Sequence, residues 1–320
     1  MAAIEIQRVT PNEYRELFPA PSHRYNSVEF NQLNSHKCIE VLYLVFMDEK
    51  RKPRLGIILG DDGEDLKSPF SAPFGGFEER GMQRLEFYLD AADALVQYAY
   101  SIGRGIRLTL PPDIYNRCSN VTKQQGALLT CGFQLVCSDY DYYFPSYGGC
   151  GDMDKLPPKS RNKLRIAMRH DFGLEVHPSA DRERIERCYK VIHDNRRHRG
   201  YDLRMSLEEV IRTSEIIDID CMLLTTEGVD VAAALVYHVA TGVVQLIYWG
   251  DCPGYSHLRP MNMLAYQVAR YYRQKGLTVD VGPSSENGVP SLGLCDFKES
   301  VGCEMVLKPT LVYRHEVMKR

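Results

Sequence analysis

The densest chemistry in this sequence is cationic. Lys155, Lys159, Arg161, Lys163, Arg165 and Arg169 fall within residues 155–170, a stretch that holds no carboxylate, and Arg196, Arg197, His198 and Arg199 follow. Arg161, Arg165 and Arg169 recur at i, i+4 and i+8, so a helix places them in one stripe. Two readings stand side by side: a contact surface for a large anion, and a solvated face whose charges pair with acids elsewhere. Tyr189, Tyr201 and Phe172 lie near in sequence and suit stacking on a base. Arg161, Arg165, Arg169, Arg196 and Arg199 are therefore the candidate anion contacts.

Other chemistries leave no trace. The ten cysteines form no C-x-x-C pair, and no two of the nine histidines stand at i and i+4 around a carboxylate, so no metal site is expected. Cys131, Cys137 and Cys221 sit in apolar stretches and read as small buried hydrophobes of a reducing cell. There is no G-x-S-x-G elbow, no P-loop, and no G-x-G-x-x-G after a strand, which removes hydrolase, kinase and dinucleotide-binding readings.

The elements that must position these residues follow from length and periodicity. The 320 residues, 44% hydrophobic and 25% charged with a net charge of −3, suit two globular domains. The charge is uneven: residues 1–150 hold 15 basic and 19 acidic side chains, the rest 24 and 23. The longest apolar run, Val41–Met47, has strand length, so no membrane span is expected, and the start lacks a secretion signal. A cytoplasmic protein is the resulting expectation.

Thr10 ahead of Pro11 predicts a capped helix over Pro11–Phe18. Glu40–Met47 and Leu55–Leu59 predict a hairpin, and a Gly/Pro/Phe-rich loop, SPFSAPFGGFEERG, comes next. Then come a long amphipathic helix over Met82–Ile102, a strand over Ile106–Leu110, a helix around Lys123–Thr130 and a strand over Phe133–Phe144. The Gly/Pro-rich joint Gly148–Pro158 places a domain boundary at 150/151, after which Ser160 caps a helix whose Leu164 and Met168 face inward.

The second half repeats the first. Ile219–Thr225 and Val231–Val239 form a hairpin, Val243–Trp249 a strand, and Pro260–Lys275 a long helix stopped by Gly276. YSIGRGIRLTLPP (100–112) matches YRQKGLTVDVGPS (272–284) in element order, and LLTCGFQLVCSDYDYYF (128–144) matches FKESVGCEMVLKPTLVY (297–313). The fold class is thus α+β, a duplicated unit with two mixed sheets flanked by helices, 1–150 and 151–320.

This duplicated unit resembles the GNAT acyltransferase fold, and the tandem pair resembles the Fem-type aminoacyl and peptidyl transferases. RNKLRIAMRHDFGLEV (161–176) resembles the segment opening the second Fem unit, and YWGDCPG (248–254) its central strand end. TVDVGPSSENGVPSLGLCDFKESVGCE (278–304) resembles the closing "GL-x-x-F-K" segment, and SPFSAPFGGF (68–77) the "sP-x-x-p-x-GG" segment of the first unit. The likeness spans roughly residues 40–315 and is strong in these four patches.

The resemblance implies an N-acyltransferase that moves an acyl or aminoacyl group from aminoacyl-tRNA or acyl-CoA to an amine, for Fem ligases on a cell-envelope peptidoglycan precursor. No tightly bound cofactor is implied, acyl-CoA being a co-substrate. A tetrahedral intermediate needs donors aimed at its oxyanion, each contributing about 3 kcal/mol. Lys298 of the "F-K" pair is the implied oxyanion donor, with Phe297 positioning the acyl donor. Tyr248, at the end of the strand that GNAT folds splay, is an implied proton relay or else a core tyrosine. Asp280 holds Lys298, accepts the amine proton, or caps the following turn. The loop into the long helix, with Gly254, His257 and Arg259, is the implied donor-binding loop, although it lacks the two-glycine GNAT pattern. In the first unit, Glu78 and Glu79 at the same place repel phosphate. The basic helices then suit a tRNA acceptor stem or a lipid-linked pyrophosphate. The missing loop also leaves open a non-catalytic ligand- or RNA-binding protein on the same fold.

Overall fold

A computed structural model describes residues 4–147 and 153–314. The chain divides into two compact units, Met1–Asp139 with Leu307–Arg320, and Tyr140–Val306. This differs from the expected division at 150/151. Gly148–Asp152 of the expected joint lies outside the described residues.

The first unit runs β1 (Glu5–Arg8), α1 (Pro11–Leu17), α2 (Val28–Leu33), β2 (Glu40–Met47), β3 (Pro53–Asp61), β4 (Asp65–Ser68), β5 (Glu78–Glu79), α3 (Leu85–Ser101), β6 (Gly105–Thr109), α4 (Asn120–Thr130) and the start of β7 (Gln134–Phe144). Thr10 caps α1 through a reciprocal box with Glu13, as the sequence predicts. The strands β1, β2, β3 and β4 pair antiparallel in that order, and β4 pairs parallel with β6. Tyr88, Ala91, Ala92, Leu95 and Ala99 of α3 bury one stripe against this sheet, while Leu85 and Tyr100 face water.

The second unit continues with α5 (Pro158–Ala167), β8 (Gly173–His177), α6 (Arg182–His198), α7 (Leu207–Ser214), β9 (Ile219–Thr226), β10 (Val229–Ala240), β11 (Val243–Asp251), α8 (Pro260–Gln274), β12 (Thr278–Pro283), β13 (Ser285–Glu286), β14 (Val289–Pro290), α9 (Leu292–Ser300) and the start of β15 (Glu304–Tyr313). Strands β8 to β11 pair antiparallel in sequence order, and β11 pairs parallel with β12. Met263, Leu264, Ala265, Val268, Ala269 and Tyr272 of α8 fill the core against it.

Two local expectations are corrected. Ser160 does not cap α5; Pro158 opens the helix at its first position, where a missing N–H is harmless, and Ser160 is buried inside it. Met168 is 39% exposed because α5 ends at Ala167, before the stripe reaches it.

The duplication holds through the parallel pair and then crosses over. The end of β7, which follows α4, pairs antiparallel with β12 in the second unit. The end of β15, which follows α9, pairs antiparallel with β6 in the first. Each copy therefore receives its last strand from the other.

Candidate functional site

The two copies differ where their parallel strands end. In the first unit all four residues of β4 pair with β6, Asp65 with Gly105 through Ser68 with Leu108. In the second, only Val243, Val244 and Gln245 of the nine-residue β11 pair with β12. From Leu246 to Asp251, β11 keeps β10 alone among the described residues, and a bulge leaves Ile247 unpaired between Leu246 and Tyr248. The result is a fork with a free strand edge.

Buried charge fixes the fork. At its base Gln245 Nε2 donates to Asp280 Oδ2 at 2.7 Å, and Gly282 N–H donates to Asp280 Oδ1 at 2.8 Å. Asp280 thus bonds the backbone two residues further along β12. Lys298 on α9 is 2% exposed, and its Nζ donates to the carbonyls of Val281 (3.1 Å), Gly282 (2.6 Å) and Pro283 (3.2 Å). An ammonium has three protons, and all three are engaged. Burial lowers the Lys298 pKa, while Asp141, itself buried, and Asp280 counter this by attraction. Phe297 is half-buried and packs edge-on against Trp249 at 5.6 Å.

On the other prong, Tyr248 Oη accepts Met205 N–H at 3.2 Å, and burial raises its pKa. Tyr189 Oη donates to Met205 O at 3.0 Å, and Arg204 reaches Glu286 beyond β12 at 3.2 Å. The segment after α6 is therefore tied to both prongs. Arg196 is half-buried near Tyr248 and Tyr201, and its pKa is lowered by burial first and by Arg199 second. Arg199 pairs with Asp251 at 3.4 Å; Asp251 also accepts Asn195 Nδ2 and Ser256 Oγ. Gly250 lets α6 approach this closely, since a Cβ there would stand 3.0 Å from the Asn195 side chain.

The chain has the Fem-like tandem GNAT fold. Superposition decides it: FemX matches with a TM-score of 0.65 at 13% identity over 97% of both chains. The C-terminal domain of a candidate lysylphosphatidylglycerol synthetase from Agrobacterium fabrum matches at 0.59, with 11% identity over 95% of this chain and 92% of that one. L-PGS from Bacillus licheniformis matches at 0.56, with 13% identity over 98% and 94%. No family model and no curated protein matches by sequence.

On this Fem-like fold the expected site residues fall into three groups. Lys298 and Asp280 lie at the β12 prong and Phe297 packs on Trp249, while Tyr248 is on the β11 prong, with Arg196 near it and Arg199 paired with Asp251. Arg259, Gly254 and His257 lie on the loop from β11 into α8. Arg259 caps α8 in a left-handed conformation (φ 60°) with its side chain exposed, and His257 Nδ1 contacts Gly254 O at 3.1 Å. Arg161, Arg165 and Arg169 belong to the α5 segment, which packs on α8; Arg165 and Arg169 are exposed. A cavity of about 10 Å³, room for one water, is lined by Leu156, Leu164, Tyr266 and Val301 and by none of the fork residues. Sequence reasoning missed Gln245, Asp141 and Tyr237. A lone glutamine inside VVQLIYW was a signal for the first; the tyrosine in β10 gave none.

In the first unit the same place is filled from within. Gly75 N–H donates to Thr109 O at 2.9 Å, at the end of β6, and Gly76 N–H to Ser68 Oγ at 3.0 Å, at the end of β4. Gln124 of α4 brackets Phe77, accepting its N–H at 2.9 Å and donating to its carbonyl at 3.2 Å. Glu78, expected to repel phosphate, is buried instead and accepts from Ser22 N–H, Ser22 Oγ and Asn26 Nδ2.

Proposed function

We propose that the chain transfers an acyl or aminoacyl group from an activated ester or thioester, aminoacyl-tRNA or acyl-CoA, to an amine. The fork between β11 and β12 carries this reading, because a free strand edge offers N–H and C=O groups to an extended, amide-bearing donor. The likeness to FemX, to the synthetase domain and to L-PGS supports it at the level of the fold.

In this reading the donor carbonyl lies at the fork and the amine attacks its carbon. Tyr248 Oη, at the rim, passes the proton that the amine loses to the leaving oxygen or sulfur. Lys298 serves the oxyanion by releasing one of its three carbonyls, and Asp280 and Phe297 hold the prong from which it acts. Arg196 and Arg199 meet the anionic part of a substrate near the Tyr248 prong. Arg259, with Gly254 and His257, meets phosphate at the start of α8, where N–H groups are unpaired. The stripe Arg161, Arg165 and Arg169 extends this to a polyanion such as a tRNA acceptor stem, and the acceptor amine belongs to a cell-envelope precursor.

One observation favours a second reading. The full engagement of the Lys298 ammonium suits a structural pin in a non-catalytic binder of ligand or RNA. Purified protein incubated separately with radiolabelled aminoacyl-tRNA and acyl-CoA, each with a panel of amines, chooses between them. Label in an amide product is expected; salt-dependent tRNA binding without transfer to any amine would establish the binder.

A further inference from the structure

Tyr237 stands on β10 opposite Gln245, the last residue of β11 that pairs with β12. It is 2% exposed, and its hydroxyl has no hydrogen-bond partner. Buried hydroxyls nearly always have one, because an unmade bond carries the full desolvation cost. An unpaired hydroxyl at the base of a fork is therefore a feature to explain. Its surroundings have a consistent chemistry. Burial first and then nearby Tyr248 raise the cost of ionising Tyr237, and Arg196, in turn close to Tyr248, makes no ion pair among the described residues. A proton donor and an unpaired cation thus stand around Tyr248 Oη, and Met205 N–H donates to that oxygen.

We infer that Tyr237 Oη–H is an oxyanion donor, kept free of protein partners for the carbonyl oxygen of an ester or thioester. This rests on the acyl-transfer reading and adds to it a residue and an atom. As the amine nitrogen bonds to the carbonyl carbon, the C=O π pair moves onto oxygen, and that oxygen accepts the Tyr237 hydroxyl. When the intermediate collapses, the pair returns, the bond to the leaving oxygen or sulfur breaks, and the leaving atom takes the proton the amine gave up through Tyr248. The segment carrying Met205, tied only by Tyr189, Tyr248 and the exposed Arg204–Glu286 pair in the bonds described above, lifts to admit the substrate.

Tyr237→Phe removes one oxygen and changes no packing. With whichever of aminoacyl-tRNA or acyl-CoA the wild type uses, kcat should fall 10²–10³-fold with KM within about twofold, the loss seen for a single oxyanion donor. The thermal midpoint should stay within about 1 °C, since no protein bond is lost. An unchanged kcat in an active background overturns the inference and leaves acyl transfer standing. A midpoint lower by several degrees reveals a hidden partner, such as a buried water, and overturns it whatever the kinetics. A wild type that transfers from neither donor removes the acyl-transfer reading and this role with it.

Discussion

The two copies of one fold end their parallel strand pair in opposite ways. In the first unit the chain supplies its own occupant: Gly75–Phe77 lies across the ends of β4 and β6, bonded to Ser68, Thr109 and Gln124. In the second unit three carbonyls of the diverging strand converge on the ammonium of Lys298. Backbone groups that leave a sheet must find partners, and the two copies show two solutions. A peptide plug closes the site. A side-chain cation satisfies the carbonyls, while the opposite strand, from Leu246 onward, meets only β10 among the described residues.

Lys298→Met tests this contrast most severely. It leaves three carbonyls without donors and two buried aspartates without their cation, so we expect a loss of about 3–5 kcal/mol in urea unfolding. Faster amide exchange at Val281 and Gly282 should accompany it, and unchanged exchange there would show that the fork does not depend on the pin.

In the first unit the buried Glu78 should dominate the pH dependence. Burial pushes its pKa up to about 7 despite the Ser22 and Asn26 hydrogen bonds that lower it. With a folded value above the unfolded 4.5, its stabilising contribution is full below pH 4.5 and is lost as pH rises through 7. The loss is at most about 3 kcal/mol, and Glu78→Gln should flatten the stability profile across that window.

Gly75→Ala strikes the plug itself. The new Cβ would stand 2.5 Å from Ser68 Oγ and 3.0 Å from the Pro69 backbone nitrogen, so the segment must shift. A cost of about 2 kcal/mol is expected; a neutral result would mean that the plug is loosely held.

The smallest effect belongs to the second unit, at His238. Its hydrogen bond to buried Asp220 at 2.9 Å raises the imidazole pKa and, against burial, lowers that of the carboxylate. The histidine contribution is full below its unfolded pKa near 6.5 and is lost as pH rises through the folded value; the aspartate contribution is lost as pH falls below about 4. Because the histidine is 37% exposed, His238→Gln should cost under about 1 kcal/mol at pH 5.5 and less at pH 8.5. Equal costs at both pH values would remove the charge from the account.

Much of this was legible in the residues. Thr10–Pro11–Glu13 specified a capped helix, and Gly103, Gly132, Gly276 and Gly302 marked helix ends with the left-handed backbone that glycine allows (φ 66–95°). The recurring order of helix end, glycine and strand exposed the duplication. The gathering of Lys298, Phe297 and Asp280 was legible too, because α9 follows β12 after a short hairpin. Arg161 and Arg165 were legible as helix residues, but the helix ends at Ala167 and leaves Arg169 in the following turn, outside the expected stripe.

The sequence by itself determined the elements, their order and their repetition, because propensity, capping and periodicity act within a few residues. Only the tertiary structure decided which strand each element meets. β7 and β15 carry similar alternating patterns, and nothing local tells either strand to pair with the other copy's sheet; that choice is made by long-range hydrogen bonding. The same holds for the site. A tyrosine inside VAAALVYHVA reads as core, and that its buried hydroxyl lacks a hydrogen-bond partner is visible only once the strands around it are packed.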